Sequence, residues 1–278
     1  KKYFIKMSRR STRINSQEDP VPQWFFASFT GDRSGSMHSV EGAGATGLYD
    51  WVKTMKETAE TNNQTGFISV TTFDNEAKLV FDNVNTKSIQ FTKADALKEM
   101  KPKGTTRLYD TAIEDIDRLL SNVETFRNSL PTYLKEINPK IAVTWVCCTD
   151  GHDNASTDNS TSEFRDKVIY ARSKGVECFF IAANQDAVLT GNQYGFSGDN
   201  SLSFSSNKKN AEFAFKSVSE NMRQASTGSS NIQFTQNMRV ASIDPTAVFD
   251  SKKDYYSSNI SLKTVNMPPR QLFKNIRL

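Results

Sequence analysis

The sequence predicts an α/β fold, a doubly wound and mostly parallel sheet between helices, on three observations. Short apolar runs alternate with segments of helical period through residues 24–228. Two of those runs, 141–149 (IAVTWVCCT) and 176–182 (VECFFIA), have the apolar character of strands buried on both faces. Leu108, Ala112, Ile113, Ile116, Leu119, Leu120 and Val123 fall on one stripe at helical spacing.

Taken in order, residues 24–30 (WFFASFT) read as a short buried strand ending at a glycine. Residues 39–61 follow as a helix with Leu48, Val52, Met55 and Ala59 on one face; Gly42, Gly44 and Gly47 either weaken it or let a neighbour approach closely. Residues 67–73 (FISVTTF) alternate as a strand, Asp74-Asn75 makes a turn, and 77–81 pairs back as a second strand. The strongest helix begins near Arg107 and turns Glu114, Asp115, Asp117 and Arg118 away from its apolar stripe. After the strand 141–149 come a polar loop (DGHDNASTDNS), a helix over about 162–174 and the strand 176–182. A short helix near 186–191, a strand at 202–204 and a helix over about 208–223 complete the unit.

The chain has 278 residues, 37% hydrophobic and 24% charged, which is enough apolar material for a sizeable core and excludes wholesale disorder. No apolar run approaches the ~18 residues needed to span a bilayer, and the start (KKYFIK) lacks the apolar stretch of a secretion signal. Three cysteines, Cys147, Cys148 and Cys178, all sit in apolar runs and read as core residues of a protein in a reducing compartment. They are too few and too irregularly spaced for a disulfide framework or a cysteine–zinc site. The expected location is therefore intracellular (cytoplasmic) or within a particle, not secreted.

The charge is partitioned. Residues 1–23 carry six Lys/Arg against two acids and residues 229–278 carry seven against three, so two basic arms flank an acidic body. Neither arm shows a sustained period, and the expected division is 1–23, 24–228 and 229–278. Such arms suit contact with neighbouring subunits or nucleic acid, or serve as solvated tails.

In an open parallel sheet the functional site lies beyond the carboxyl ends of the strands, which directs attention to three loops. The first, Asp32-Arg33-Ser34-Gly35-Ser36-Met37, sets one carboxylate and two hydroxyls at alternate positions. The second, Gly104-Thr105-Thr106-Arg107, offers a hydroxyl at the start of the strongest helix, where Thr106 also reads as an N-cap. The third, Thr149-Asp150-Gly151, puts a carboxylate at the end of an apolar strand. Three hydroxyls and two carboxylates are hard oxygen donors, a set that suits Mg²⁺ or Mn²⁺.

At these residues the chain resembles the von Willebrand factor type A (vWA) family. Asp32-x-Ser34-x-Ser36, Thr106 within Gly-Thr-Thr-Arg-Leu-Tyr-Asp, and Asp150 in Thr-Asp-Gly match its metal-ion-dependent adhesion site (MIDAS) in order and spacing, and the likeness covers most of 24–225. Ala-Ala-Asn-Gln-Asp at 182–186 resembles a variant of bacterial and viral members. The resemblance implies a Rossmann-like, six-stranded, mainly parallel sheet carrying a Mg²⁺-dependent ligand-binding surface that is normally not catalytic. It implies that Asp32 anchors metal-bound water, that Ser34, Ser36 and Thr106 bind the ion, and that Asp150 binds directly or through water. Thr106 is preferred over Thr105 because the family places this residue two before Leu-Tyr-Asp. Thr30-Gly31 departs from the apolar strand end usual in the family, which sets the loop geometry apart.

The function expected from this set is a non-enzymatic, metal-dependent protein-interaction module whose ion accepts an Asp or Glu carboxylate from a partner. The arms suit a scaffold in a large assembly, with a minor structural protein of a virus particle as one specific version. Two alternatives use other features. His38 and His152, each two residues after a proposed ligand, would activate metal-bound water in a hydrolase, and the arms would contact nucleic acid or an ATPase in an accessory subunit. No Gly-x-Ser-x-Gly elbow and no Gly-x-x-x-x-Gly-Lys-Ser/Thr phosphate loop is present.

Overall fold

Residues 22–40, 42–229, 232–244 and 246 are described by the structure, a computed structural model of the chain. The expectations for 1–21 and for most of 229–278 lie outside the described residues. Six strands form one sheet: β1 (Trp24–Asp32), β2 (Thr65–Phe73), β3 (Ala77–Asn85), β4 (Ile141–Thr149), β5 (Glu177–Ala183) and β6 (Ser201–Phe204). Their order is β3-β2-β1-β4-β5-β6, and every neighbouring pair is parallel except the β2–β3 hairpin. The helices are α1 (Ala43–Thr61), α2 (Lys93–Glu99), α3 (Leu108–Ser129), α4 (Thr132–Ile137), α5 (Thr161–Ser173), α6 (Ala187–Gln193), α7 (Lys208–Ser226) and α8 (Gln236–Ile243). Among the described residues no helix is long and apolar enough to cross a membrane.

The chain lays strands outward from β1 to β3, then crosses back to start again at β4 on the other side of β1. The connections on the two sides leave in opposite directions, so a crevice opens between the carboxyl ends of β1 and β4. Both of those strands are almost wholly buried.

Alternation along β1 sorts its side chains between two cores. Phe25, Ala27 and Phe29 join α1 and α7 residues such as Leu48, Trp51, Met55, Phe215 and Met222 on one face. Phe26 joins α3 and α5 residues such as Ile116, Leu119, Phe164 and Val168 on the other. Leu48, Val52, Met55 and Ala59 are all buried, as the helical spacing predicts. Of the early glycines, Gly47 proves to be a close-approach site: a Cβ there would lie 2.7 Å from the Phe215 Cβ.

One expectation about α3 is overturned. The spacing places Asp115 on the polar face, yet it is fully buried against the sheet. Its carboxylate accepts the hydroxyls of Ser28 and Thr30 on β1 and of Thr71 on β2, the last at 2.6 Å, and pairs with Arg118. The sheet opposite this turn of the helix presents hydroxyls rather than methyl groups, and that pattern lies on β1 and β2, not on the helix. Thr30 is therefore held from α3 and also accepts the Trp145 indole N–H at 2.8 Å.

The short helices α2, α4 and α8 are additions to the sequence expectation. α8 lies in the stretch read as an extension. Phe234 and Met238 join the α1/α7 core, and Arg239 donates to the carbonyls of Ser201, Gly198 and Asp199 at 2.7, 2.9 and 3.2 Å. That side chain and the Ser242 hydroxyl, which donates to Ser203 O at 2.7 Å, satisfy the outer edge of β6.

Candidate metal centre

β1 runs straight into the first loop, so Asp32 is both its last residue and fully buried. Its Oδ1 accepts the Ser34 N–H at 2.7 Å and its Oδ2 accepts the Thr149 hydroxyl at 2.6 Å. The Ser34 and Ser36 hydroxyls are 3.1 Å apart, and Ser36 donates to Asp150 Oδ1 at 2.7 Å. Thr149 Oγ1 also accepts the Gly151 N–H at 3.2 Å, which sets the turn carrying Asp150.

The second loop is brought against the first by backbone bonds: Gly35 N–H to Gly104 O at 3.1 Å and Lys103 N–H to Arg33 O at 2.8 Å. Gly104 takes a left-handed φ of +67° in the turn that allows this approach. Thr106 is buried whereas Thr105 is exposed. A Cβ at Gly151 would lie 3.6 Å from Thr106 Oγ1 and 3.8 Å from Ser36 Oγ, so all three loops meet at this glycine. The structure therefore brings Asp32, Ser34, Ser36, Thr106 and Asp150 together at one end of the sheet. The N-cap of α3 is Arg107 rather than Thr106, and it makes no side-chain cap bond.

The charge around this cluster is unbalanced. Burial pushes the Asp32 carboxyl up to about 6 against the bonds from Thr149 and Ser34, and the nearby Asp150 carboxylate adds to the rise. Burial also raises the Asp150 carboxyl, opposed by the Ser36 hydroxyl. The nearby cations are spent elsewhere. Arg33 Nε lies 2.8 Å and Lys103 Nζ 3.5 Å from Asp74 Oδ2, and Arg107 pairs with Asp110 and Glu114. Among the described residues no Lys, Arg or His side chain forms an ion pair with Asp32 or Asp150.

Two carboxylates short of positive charge, with hydroxyls turned toward them, fit a hard divalent cation. The donor set is oxygen throughout, and no group of three or more His, Cys, Asp or Glu side chains suited to a metal gathers among the described residues. His38 and His152 are exposed on the rim, and neither imidazole makes a hydrogen bond among the described residues.

Sequence reasoning missed the residues that hold the loops in place. Asp74, fully buried, joins the β2–β3 turn to Arg33, and its carbonyl accepts the Arg107 N–H at 2.8 Å. Asp153 and Asn154 lie in a loop that the sequence shows only as polar, yet both bond to the Thr106 region. A carboxylate and an amide two and three residues after Thr-Asp-Gly were the available signal.

No protein-family profile and no curated protein sequence matches the chain. Solved structures do match. The pilus adhesin SpaC from Lactobacillus rhamnosus GG aligns with a TM-score of 0.51 at 11% identity, over 79% of this chain and 32% of that one. The von Willebrand factor type A protein from Catenulispora acidiphila aligns with a TM-score of 0.45 at 13% identity, over 74% and 42%. Proximal thread matrix protein 1 of the mussel byssus, in a structure with a zinc-occupied MIDAS motif, aligns with a TM-score of 0.42 at 17% identity, over 75% and 46%. The chain spans less than half the length of the first structures it matches. At 11% identity the likeness to the adhesin is one of fold alone, a six-stranded, mostly parallel sheet between helices.

Proposed function

We propose that this chain is a metal-dependent protein-interaction module of vWA type, and that it is a binding protein rather than an enzyme. The observation that carries this reading is the pair of carboxylates, Asp32 and Asp150, each bonded to a hydroxyl at the strand ends and, among the described residues, paired with no Lys, Arg or His. Ser34, Ser36, Thr106 and Asp150 would hold Mg²⁺ or Mn²⁺, and Asp32, with both oxygens already engaged, would orient them and balance the charge from behind. The bound ion would offer an electrophilic position to an Asp or Glu carboxylate of a protein partner. Among the described residues no hydrogen-bonded group orients the exposed imidazoles of His38 and His152, which weighs against a base poised for hydrolysis.

The wider role we assign is that of a scaffold in a large assembly, in its most specific form a minor structural protein of a virus particle. The flanking basic segments would extend the contact surface toward neighbouring subunits or nucleic acid. Three buried free cysteines suit an intracellular or particle-enclosed setting. Calorimetric titration of Mg²⁺ and Mn²⁺ into chelator-treated protein tests the metal reading. Saturable binding lost in Asp32→Ala and Asp150→Ala is expected, and absence of binding in the parent overturns it.

A further inference from the structure

α3 begins a 22-residue helix, yet its own N-cap residue, Arg107, provides no side-chain acceptor for the first N–H groups. They are capped from another part of the chain. Asp153 Oδ1, in the loop after β4, accepts the Leu108 and Tyr109 N–H groups at 2.7 and 3.2 Å. Asn154 follows and clips Thr106 from both sides. Its Oδ1 accepts the Thr106 N–H at 2.8 Å, while the Asn154 and Ala155 N–H groups donate to Thr106 O at 3.0 and 3.1 Å.

The same loop goes on to secure itself. The Ser156 hydroxyl donates to Asp153 Oδ1 at 2.6 Å and accepts the Asp110 N–H at 3.1 Å. The Asp110 carboxylate accepts the Thr157 N–H and the Asn159 side-chain amide, each at 2.9 Å. The loop that carries Asp150 and the loop that carries Thr106 are thereby one hydrogen-bonded body, although those two residues are 44 positions apart in sequence.

We infer that Asp153 and Asn154 are positioning residues of the metal centre: through the Thr106 backbone and the α3 N-terminus they fix the Thr106 hydroxyl relative to Asp150. This rests on the metal reading above. Neither side chain needs to touch the ion. Residues that orient ligands from behind typically govern metal affinity by about ten- to a hundredfold. A helix cap alone would affect stability and leave affinity unchanged.

The test is Mg²⁺ and Mn²⁺ calorimetry on the full chain with five variants whose folding is checked by circular dichroism, Thr106→Ala among them. Asn154→Ala removes the acceptor for the Thr106 N–H, and about tenfold weaker binding is expected. Asn154→Ala placed on Thr106→Ala should weaken binding no further, because the hydroxyl being positioned is already gone. Asp153→Ala and Asp153→Asn lose the same charge, but Asn keeps an oxygen acceptor for the α3 N–H groups. Asp153→Asn is therefore expected to bind more tightly than Asp153→Ala. Parent affinity in Asn154→Ala, or an undiminished Asn154→Ala loss in the Thr106→Ala background, overturns the inference while leaving the metal reading intact. No binding in the parent overturns both.

Discussion

The Thr149 hydroxyl donates to Asp32 Oδ2 at 2.6 Å, joining the carboxyl ends of β1 and β4 across the crevice where strand order reverses. Thr149 is fully buried, as is Asp32, so this bond holds a desolvated carboxylate in place and cannot be replaced by water without rearrangement. Thr149→Val keeps the shape of the side chain and removes the donor. We expect a loss of about 1–3 kcal/mol in urea unfolding at neutral pH, together with weaker Mg²⁺ binding. Unfolding curves that superimpose on the parent would show that the bond contributes nothing.

Thr105 and Thr106 provide an internal control for the metal reading. Thr106 is buried beside Gly151 and Thr105 is exposed, so the two hydroxyls differ in environment and not in chemistry. Thr106→Val is expected to weaken Mg²⁺ binding measurably and Thr105→Val to leave it unchanged. Equal effects in calorimetry would place the ion elsewhere.

Arg33 and Asp74 form a buried ion pair that ties the first loop to the β2–β3 turn. Removing one partner leaves the other charge buried and alone, which typically costs about 3–5 kcal/mol. Asp74→Ala is expected to approach that range in chemical denaturation. The double variant Arg33→Met/Asp74→Leu should recover much of the loss, because it removes both charges.

Asp110 supplies a pH dependence. Burial works to raise its carboxyl, but bonds from Asn159, Thr157 and Asp158 and the charge of Arg107 outweigh it, leaving the group below the usual carboxylate range. A depressed folded value means the unfolded chain takes up the proton first as pH falls. The stabilisation is thus present above the unfolded value of about 3.9 and is lost as pH drops through the folded one. Melting temperature of the parent should fall between about pH 4.5 and 3 more steeply than that of Asp110→Asn. Parallel curves would remove Asp110 from the account.

At Gly47 the prediction is of overpacking. A methyl group there meets the Phe215 side chain in the α1–α7 contact, so Gly47→Ala is expected to destabilise by about 1–3 kcal/mol despite its better helix propensity. A gain in stability would mean that α7 can shift at little cost.

The sequence carries the alternation of strands and helices, the stripe on α3 and the three oxygen-rich loops openly, because these are local patterns written into consecutive residues. It placed Leu48, Val52, Met55 and Ala59 inside without help. The folded arrangement sets where Asp115 goes, because what buries it is a set of hydroxyls on Ser28, Thr30 and Thr71, distant in sequence and adjacent only after β1 and β2 pair. It likewise decided that Asp153 and Asn154 bond to the Thr106 region and that Arg239 closes the β6 edge. Short polar residues in loops carry no period. Their partners are the backbone N–H and C=O groups that every residue offers, and only the folded chain selects among them.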